Sequence, residues 1–214
     1  MKTQFPKQIF VSGIDTGIGK TISAAVLTEA LHADYWKPIQ SGIDEVSDSE
    51  TVNLLISNTE TRVHKEAYVL KNPSSPHYSA RMEGVNIDLA LCKLPTDRKL
   101  IVEGAGGLMV PLTEKFLQLD LIRFLELPVV LVVKNYLGSI NHTLLTIEVL
   151  RSKGITVTGL IFNGPPFNDN EEIILKFYKL PVLGHIDVVD KPSKDFVIQQ
   201  AAKLRVSLLE HFQL

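Results

Sequence analysis

The chain has 214 residues and a mass of 23.8 kDa, 45% of it hydrophobic and 21% charged, which fits one globular unit with a sizeable core. Lys and Arg number 22 against 24 Asp and Glu, a net charge of −2 that excludes a broad basic face for nucleic acid but leaves room for a local cation cluster around a small anion. The single cysteine, Cys92, excludes an internal disulfide and is expected as a buried helix residue; neither it nor the six histidines has zinc-ligand spacing.

The first predicted strand is Gln8–Ser12 (QIFVS). Its apolar run stops at Gly13 and Asp15, unlike a signal peptide. A helix follows, with Ile22, Ala25, Val26 and Ala30 on one face. Tyr35–Pro38 is the second strand, and loops are expected over Gly42–Ser49 and Lys71–His77. Strands Leu100–Glu103 and Pro128–Val133 come next, then a helix carrying Ile140, Leu144, Ile147 and Leu150 and closing at Lys153-Gly154. Strand Val157–Phe162, a loop over Gly164–Asn170 and strand Val182–Ile186 precede a last helix with Val197, Ala201, Leu204, Leu208 and Phe212 in phase. The longest apolar stretch, Leu127–Val133, falls far short of the ~20 residues that span a bilayer. A soluble, reduced, cytoplasmic protein with no membrane partner is therefore expected.

Apolar runs without alternation mark strands covered on both faces, and their alternation with helices implies right-handed βαβ units. Between the first strand and its helix lies Gly13-Ile14-Asp15-Thr16-Gly17-Ile18-Gly19-Lys20-Thr21. Glycines there allow backbone N–H groups to face inward at a helix N-terminus, a nest for phosphate. Lys20 would reach the β- and γ-phosphates and the Thr21 hydroxyl would ligate Mg²⁺. The loop is one residue longer than the common P-loop, whose first glycine falls here on Ile14. The expected fold is α/β: a P-loop NTPase-like, mostly parallel β-sheet flanked by helices on both faces, one domain over residues 1–214.

Such a loop calls for an acid at the end of a second buried strand. Leu100-Ile101-Val102-Glu103 supplies it, with Glu103 meeting the metal directly or through water. The glycines of Gly104-Ala105-Gly106-Gly107 would let the backbone approach substrate or phosphate. Lys37, at the carboxyl end of a parallel strand, points to the crevice where ligands of such sheets bind. With Lys20 it suits a reaction that develops negative charge on phosphoryl and carboxyl-type oxygens.

These segments together resemble the dethiobiotin synthetases, the ATP-dependent carboxylases of biotin biosynthesis. The likeness is carried by GIDTGIGKT, KPIQSG (37–42), SPH (75–77), VEGAGG (102–107), PVVLVVKNYLGSINHTLLT (128–146) and Asn163, in family order over most of the chain. The longer loop is the family's normal form. The resemblance implies that 7,8-diaminopelargonic acid reacts with CO₂ or bicarbonate to an N7-carbamate. ATP then phosphorylates the carbamate to a mixed anhydride, and the second amine closes the ureido ring, leaving ADP and phosphate.

It also implies roles by position. Lys37 and Lys20 are the catalytic lysines; Gly17, Ile18, Gly19, Lys20, Thr21 and Ile22 bind the nucleotide; Thr16 and Ser41 meet the diamine. Thr21, Asp48 and Glu103 hold Mg²⁺, although Asp44, Glu45 or Glu50 could align in place of Asp48. Gly104, Ala105, Gly106, Asn163, Ile186, Asp187 and Val188 complete the nucleotide site, Asn163 against adenine. The 184–188 segment departs from the family in lacking a proline near Asp187, and Gly17 stands where some members carry an acid. Gly138, Ile140 and Asn141 open a helix whose free N–H groups would bind the substrate carboxylate across a homodimer interface, with capping by Asn141 as the plainer reading.

The rival reading is an ATPase switch of the partitioning type. Residues 12–16 lack the additional lysine of that group, and no basic amphipathic tail follows. The Asn-Lys-x-Asp signature of GTP-binding switches is missing as well.

Overall fold

A computed structural model describes residues 2–43 and 46–214. In chain order the elements are β1 (Thr3–Gln4), β2 (Gln8–Gly13), α1 (Lys20–Leu31), β3 (Asp34–Trp36), β4 (Ile39–Ser41), α2 (Asp48–Leu55), β5 (Val63–His64), β6 (Tyr68–Leu70), α3 (Pro76–Glu83), β7 (Leu100–Gly107), α4 (Gln118–Leu125), β8 (Val129–Lys134), α5 (Ser139–Ser152), β9 (Val157–Asn163), α6 (Asn170–Phe177), β10 (Val182–Ile186), α7 (Lys194–His211) and β11 (Phe212–Gln213). Seven strands form one sheet in the order β10-β9-β8-β2-β7-β3-β5, every neighbouring pair parallel. Two small parallel pairs, β1-β11 and β4-β6, lie outside it.

Consecutive burial explains the central strands. Ile9, Phe10 and Val11 of β2 and Val129 to Val133 of β8 are all at most 1% exposed, so neither face of the sheet meets water. Helices supply the cover: α1 packs with α2 and α7, α5 packs with α6 over β8 and β9, and α4 lies against β7. The chain moves from β2 outward to β3 and β5, returns through β7, then crosses β2 to build β8, β9 and β10. The reversal beside β2 is the switch point at which carboxyl ends of parallel strands leave a crevice.

Several boundaries differ from the sequence reading. The second strand stops at Trp36, and after Pro38, which has no N–H to donate, the chain enters β4 and pairs with β6 instead. The strand ending in Glu103 runs on to Gly107. Each of the three expected loops gives way to a helix near its end, α2, α3 and α6. Phe212 caps α7 and belongs to β11. Cys92 is buried as expected but follows a 3₁₀ turn at Leu89–Leu91, so it is not a helix residue; burial pushes its thiol up to about 11. Among the described residues no helix is long and apolar enough to cross a membrane.

Candidate active site

The loop after β2 carries the first half of the site. Gly19 caps α1 with φ +88°, and a Cβ built there would sit 2.5 Å from Asn163 Nδ2. Only glycine satisfies both the left-handed backbone and that approach. Asn163, at the end of β9 and 3% exposed, donates through Nδ2 to the carbonyls of Ile18 (2.7 Å) and Gly19 (3.3 Å), so its amide fastens the loop from below. Lys20 is buried at the head of α1 and donates to the Asp15 carbonyl at 2.9 Å. Burial, and then the neighbouring Lys37, pull its ammonium down to about 8 against the attraction of Glu103 and Asp48.

Strand register supplies the second half. Tyr35 and Trp36 pair with Ile101 and Val102, which carries Lys37 alongside Glu103. Lys37 Nζ lies 2.5 Å from Asp48 Oδ2 and 3.1 Å from Glu103 Oε1. Burial alone would lower the Lys37 ammonium, but the two carboxylates hold it above the usual lysine value. Asp48 is likewise brought below the usual carboxylate range: burial pushes it up, and Lys37 and the Thr21 hydroxyl outweigh that. Asp48 opens α2, held there by a capping box in which Ser47 and Glu50 bond each other's backbone N–H.

Thr21 Oγ1 lies 2.7 Å from Asp48 Oδ1 and 2.9 Å from Glu103 Oε1. A hydroxyl has one proton and can donate to only one of them. Three oxygens crowded round one point, only the hydroxyl carrying a proton of its own, are suited to a hard cation, which completes its shell with water and phosphate oxygens. The residues present thus fit Mg²⁺. Among the described residues no cluster of three His, Cys, Asp or Glu competes with this arrangement.

Thr16, Gly17, Gly19, Lys20, Thr21, Ile22, Lys37, Ser41, Asp48, Glu103, Ala105 and Gly106 all border one pocket of about 710 Å³. Ser74, Ser75, Pro76 and Val110 close its other side. The Ser41 hydroxyl donates to the Ser74 carbonyl at 2.7 Å, tying β4 to that wall. A second pocket of about 120 Å³ adjoins the loop and brings Ile18 and Asn163 together with Ile186, Asp187 and Val188.

Four predicted residues lie elsewhere. Gly104 faces the core: a Cβ there would come within 2.7 Å of the Phe10 ring, so it serves close packing and borders neither pocket. Gly138, Ile140 and Asn141 also border neither pocket. Gly138 caps α5 with no side-chain cap bond, so the capping reading of Asn141 does not hold. Of the alternative acids, Glu50 is spent in its capping box, while Asp44 and Glu45 lie outside the described residues.

Two residues escaped the sequence reading. The Tyr35 hydroxyl donates to Glu103 Oε2 at 2.8 Å from within β3, two residues before Lys37. Gln118, at the head of α4, accepts from the Ala105 N–H at 3.1 Å and supports the glycine-rich segment. Nothing local to its own stretch of sequence marks it.

Comparison with known proteins agrees with this geometry. A family model described as AAA domain matches residues 7–194. The chain is 46% identical over 200 residues to the ATP-dependent dethiobiotin synthetase BioD of Cytophaga hutchinsonii, covering 92% of this chain and 97% of that protein. It is also 46% identical over 206 residues to that of Christiangramia forsetii, covering 96% and 99%. Among solved structures, a plasmid partition protein from Borrelia burgdorferi superposes with a TM-score of 0.54 at 13% identity, covering 98% of this chain and all 100% of that one, a likeness of fold alone. At such identity over nearly the full length of both relatives, the chain belongs to the dethiobiotin synthetase family.

Proposed function

We propose that the chain joins CO₂ to 7,8-diaminopelargonic acid and closes the product to dethiobiotin at the expense of ATP. It does so as one P-loop domain over residues 1–214, working as a cytoplasmic homodimer. One observation carries this reading: Lys20, Lys37, Asp48, Glu103 and the Thr21 hydroxyl converge on one pocket at the carboxyl ends of β2, β3 and β7.

The chemistry is the one that membership of the dethiobiotin synthetase family implies, and the converging groups suit it. An amine nitrogen of the diamine bonds to the CO₂ carbon and loses a proton to water, leaving a carbamate beside Lys37. A carbamate oxygen then attacks the γ-phosphorus, the bond to the β-bridging oxygen breaks, and ADP leaves. The other amine attacks the carbamoyl carbon, loses its proton, and expels phosphate as the ring closes. Lys37 faces the carbamate and Lys20 the transferring phosphoryl oxygens; fixed cations stabilise charge as it develops. Mg²⁺, when held by Thr21, Asp48 and Glu103, supplies further positive charge to the phosphate oxygens.

Thr16 and Ser41 line the diamine side of the pocket, and the smaller pocket under Ile186, Asp187 and Val188, with Asn163 at its base, takes the adenine. Gly138, Ile140 and Asn141 act on a second copy, where the free N–H groups of α5 meet the substrate carboxylate. The partition-type switch shares the fold, but residues 12–16 lack its extra lysine. The test is whether ATP turnover requires both the diamine and bicarbonate. Turnover at full rate without either would overturn the reading.

A further inference from the structure

Glu103 presents its two oxygens to different partners. Oε1 meets the Thr21 hydroxyl at 2.9 Å and Lys37 at 3.1 Å, on the side of the phosphate loop. Among the described residues Oε2 accepts from the Tyr35 hydroxyl alone, at 2.8 Å. Both residues are at most 1% exposed, so no bulk water can replace this donor. Tyr35 is rigidly placed: its backbone sits in the parallel ladder between β7 and β5, and the adjacent Trp36 is pinned through Nε1 to the Lys65 carbonyl at 3.0 Å.

A carboxylate fixed in this way offers one oxygen to a cation, not two. Mg²⁺ takes carboxylates through single oxygens in a near-octahedral shell, whereas Ca²⁺ accepts both oxygens of one carboxylate and more ligands. We propose that Tyr35 is a positioning residue which commits Glu103 Oε2, presents Oε1 alone to the metal, and so sets the preference of the site for Mg²⁺ over Ca²⁺. This rests on the reading of Glu103 as a metal-supporting acid.

The test is calorimetric titration of ADP into wild type, Tyr35→Phe, Glu103→Gln and the double variant, each without metal, with Mg²⁺ and with Ca²⁺. Partners behind a metal ligand typically change metal affinity 10- to 100-fold. Tyr35→Phe is expected to weaken the Mg²⁺-dependent part of ADP binding about 10-fold, by that precedent. The Ca²⁺-dependent part should fall less or rise, and metal-free ADP affinity should not change. In the Glu103→Gln background, Tyr35→Phe should add nothing. An equal loss in both backgrounds, or in ADP affinity without metal, makes Tyr35 merely structural and overturns the inference. So does an unchanged Mg²⁺ to Ca²⁺ ratio while Glu103→Gln abolishes the metal effect. If Glu103→Gln leaves the metal effect intact, it is the underlying metal-site reading that fails, and the Tyr35 inference falls with it.

Discussion

Replacing Lys37 by Met keeps the length of the side chain and removes its charge, which makes Lys37→Met the most informative single perturbation of the site. In the native pocket the charges of Lys20 and Lys37 balance those of Asp48 and Glu103; the variant leaves one negative charge in excess. Removing one member of a buried ion pair costs about 3–5 kcal/mol, because its partner stays buried and unpaired. The Asp48 side chain keeps 30% of its exposure, so the lower end, about 3 kcal/mol, applies. At about 2–4 °C per kcal/mol for a domain of this size, the metal-free melting temperature should fall by about 6–12 °C. The vacated charge should also make the site a better cation trap. With Mg²⁺ at about 100 times its Kd the gain is about 2.7 kcal/mol, enough to restore most of the loss. ADP affinity should stay within about threefold of wild type, while dethiobiotin formation should drop about 10²–10³-fold, the scale set by removing one preorganised charge-stabilising group. Differential scanning fluorimetry with and without Mg²⁺, ADP calorimetry and product detection cover these arms. Equal melting of both proteins without metal, with an equal Mg²⁺ shift, would refute the charge argument. Lost ADP affinity with undiminished product would refute the role of Lys37.

Other substitutions probe the site, its cap and a more distant carboxylate. Gly19→Ala should abolish ADP binding in an equilibrium titration, since its Cβ would meet Asn163 Nδ2 at 2.5 Å with φ at +88°. Asp48→Asn should raise the Mg²⁺ needed for half-maximal turnover by about 10-fold or more, as loss of a metal-supporting group does, whereas Glu50→Gln, altering only an exposed cap, should not change it. Away from the pocket, burial would raise the Glu29 carboxyl, but bonds from Ser57 and Asn58 outweigh it and hold the group below its usual 4.5. The folded form therefore gains stability above that pH and loses it as pH falls through the depressed value. Glu29→Gln should cost about 1 kcal/mol at neutral pH in urea melts, and the difference from wild type should narrow below pH 4.5.

The sheet was legible where strands are buried on both faces, because Ile9-Phe10-Val11 and Val129–Val133 need apolar side chains at every position. Its edge was not. β5 is only Val63–His64, and its place is fixed by bonds that no local pattern announces: buried Asp34 accepts from the Arg62 N–H at 2.9 Å and contacts His64 at 3.2 Å. The eight residues of α2 carry too few apolar positions for a periodic stripe, although the Ser47-x-x-Glu50 box marked its start and would have taken Asp48 out of its expected loop. The charged centre could be read because its members terminate strands or open helices around a recognisable phosphate loop. Tyr35 and Gln118 stayed hidden, since each acts through another residue. Gly104 carries no local signal of its packing role, because a glycine that admits a ligand and one that admits Phe10 are the same letter.

Carboxylation and ring closure can be read in one incubation: purified protein with ATP, Mg²⁺, 7,8-diaminopelargonic acid and ¹³C-bicarbonate, followed by mass spectrometry. The expected product is dethiobiotin carrying a single ¹³C in its ureido carbonyl, with one phosphate released per molecule formed. Phosphate release that ignores the diamine, with no labelled dethiobiotin, would contradict the proposed function.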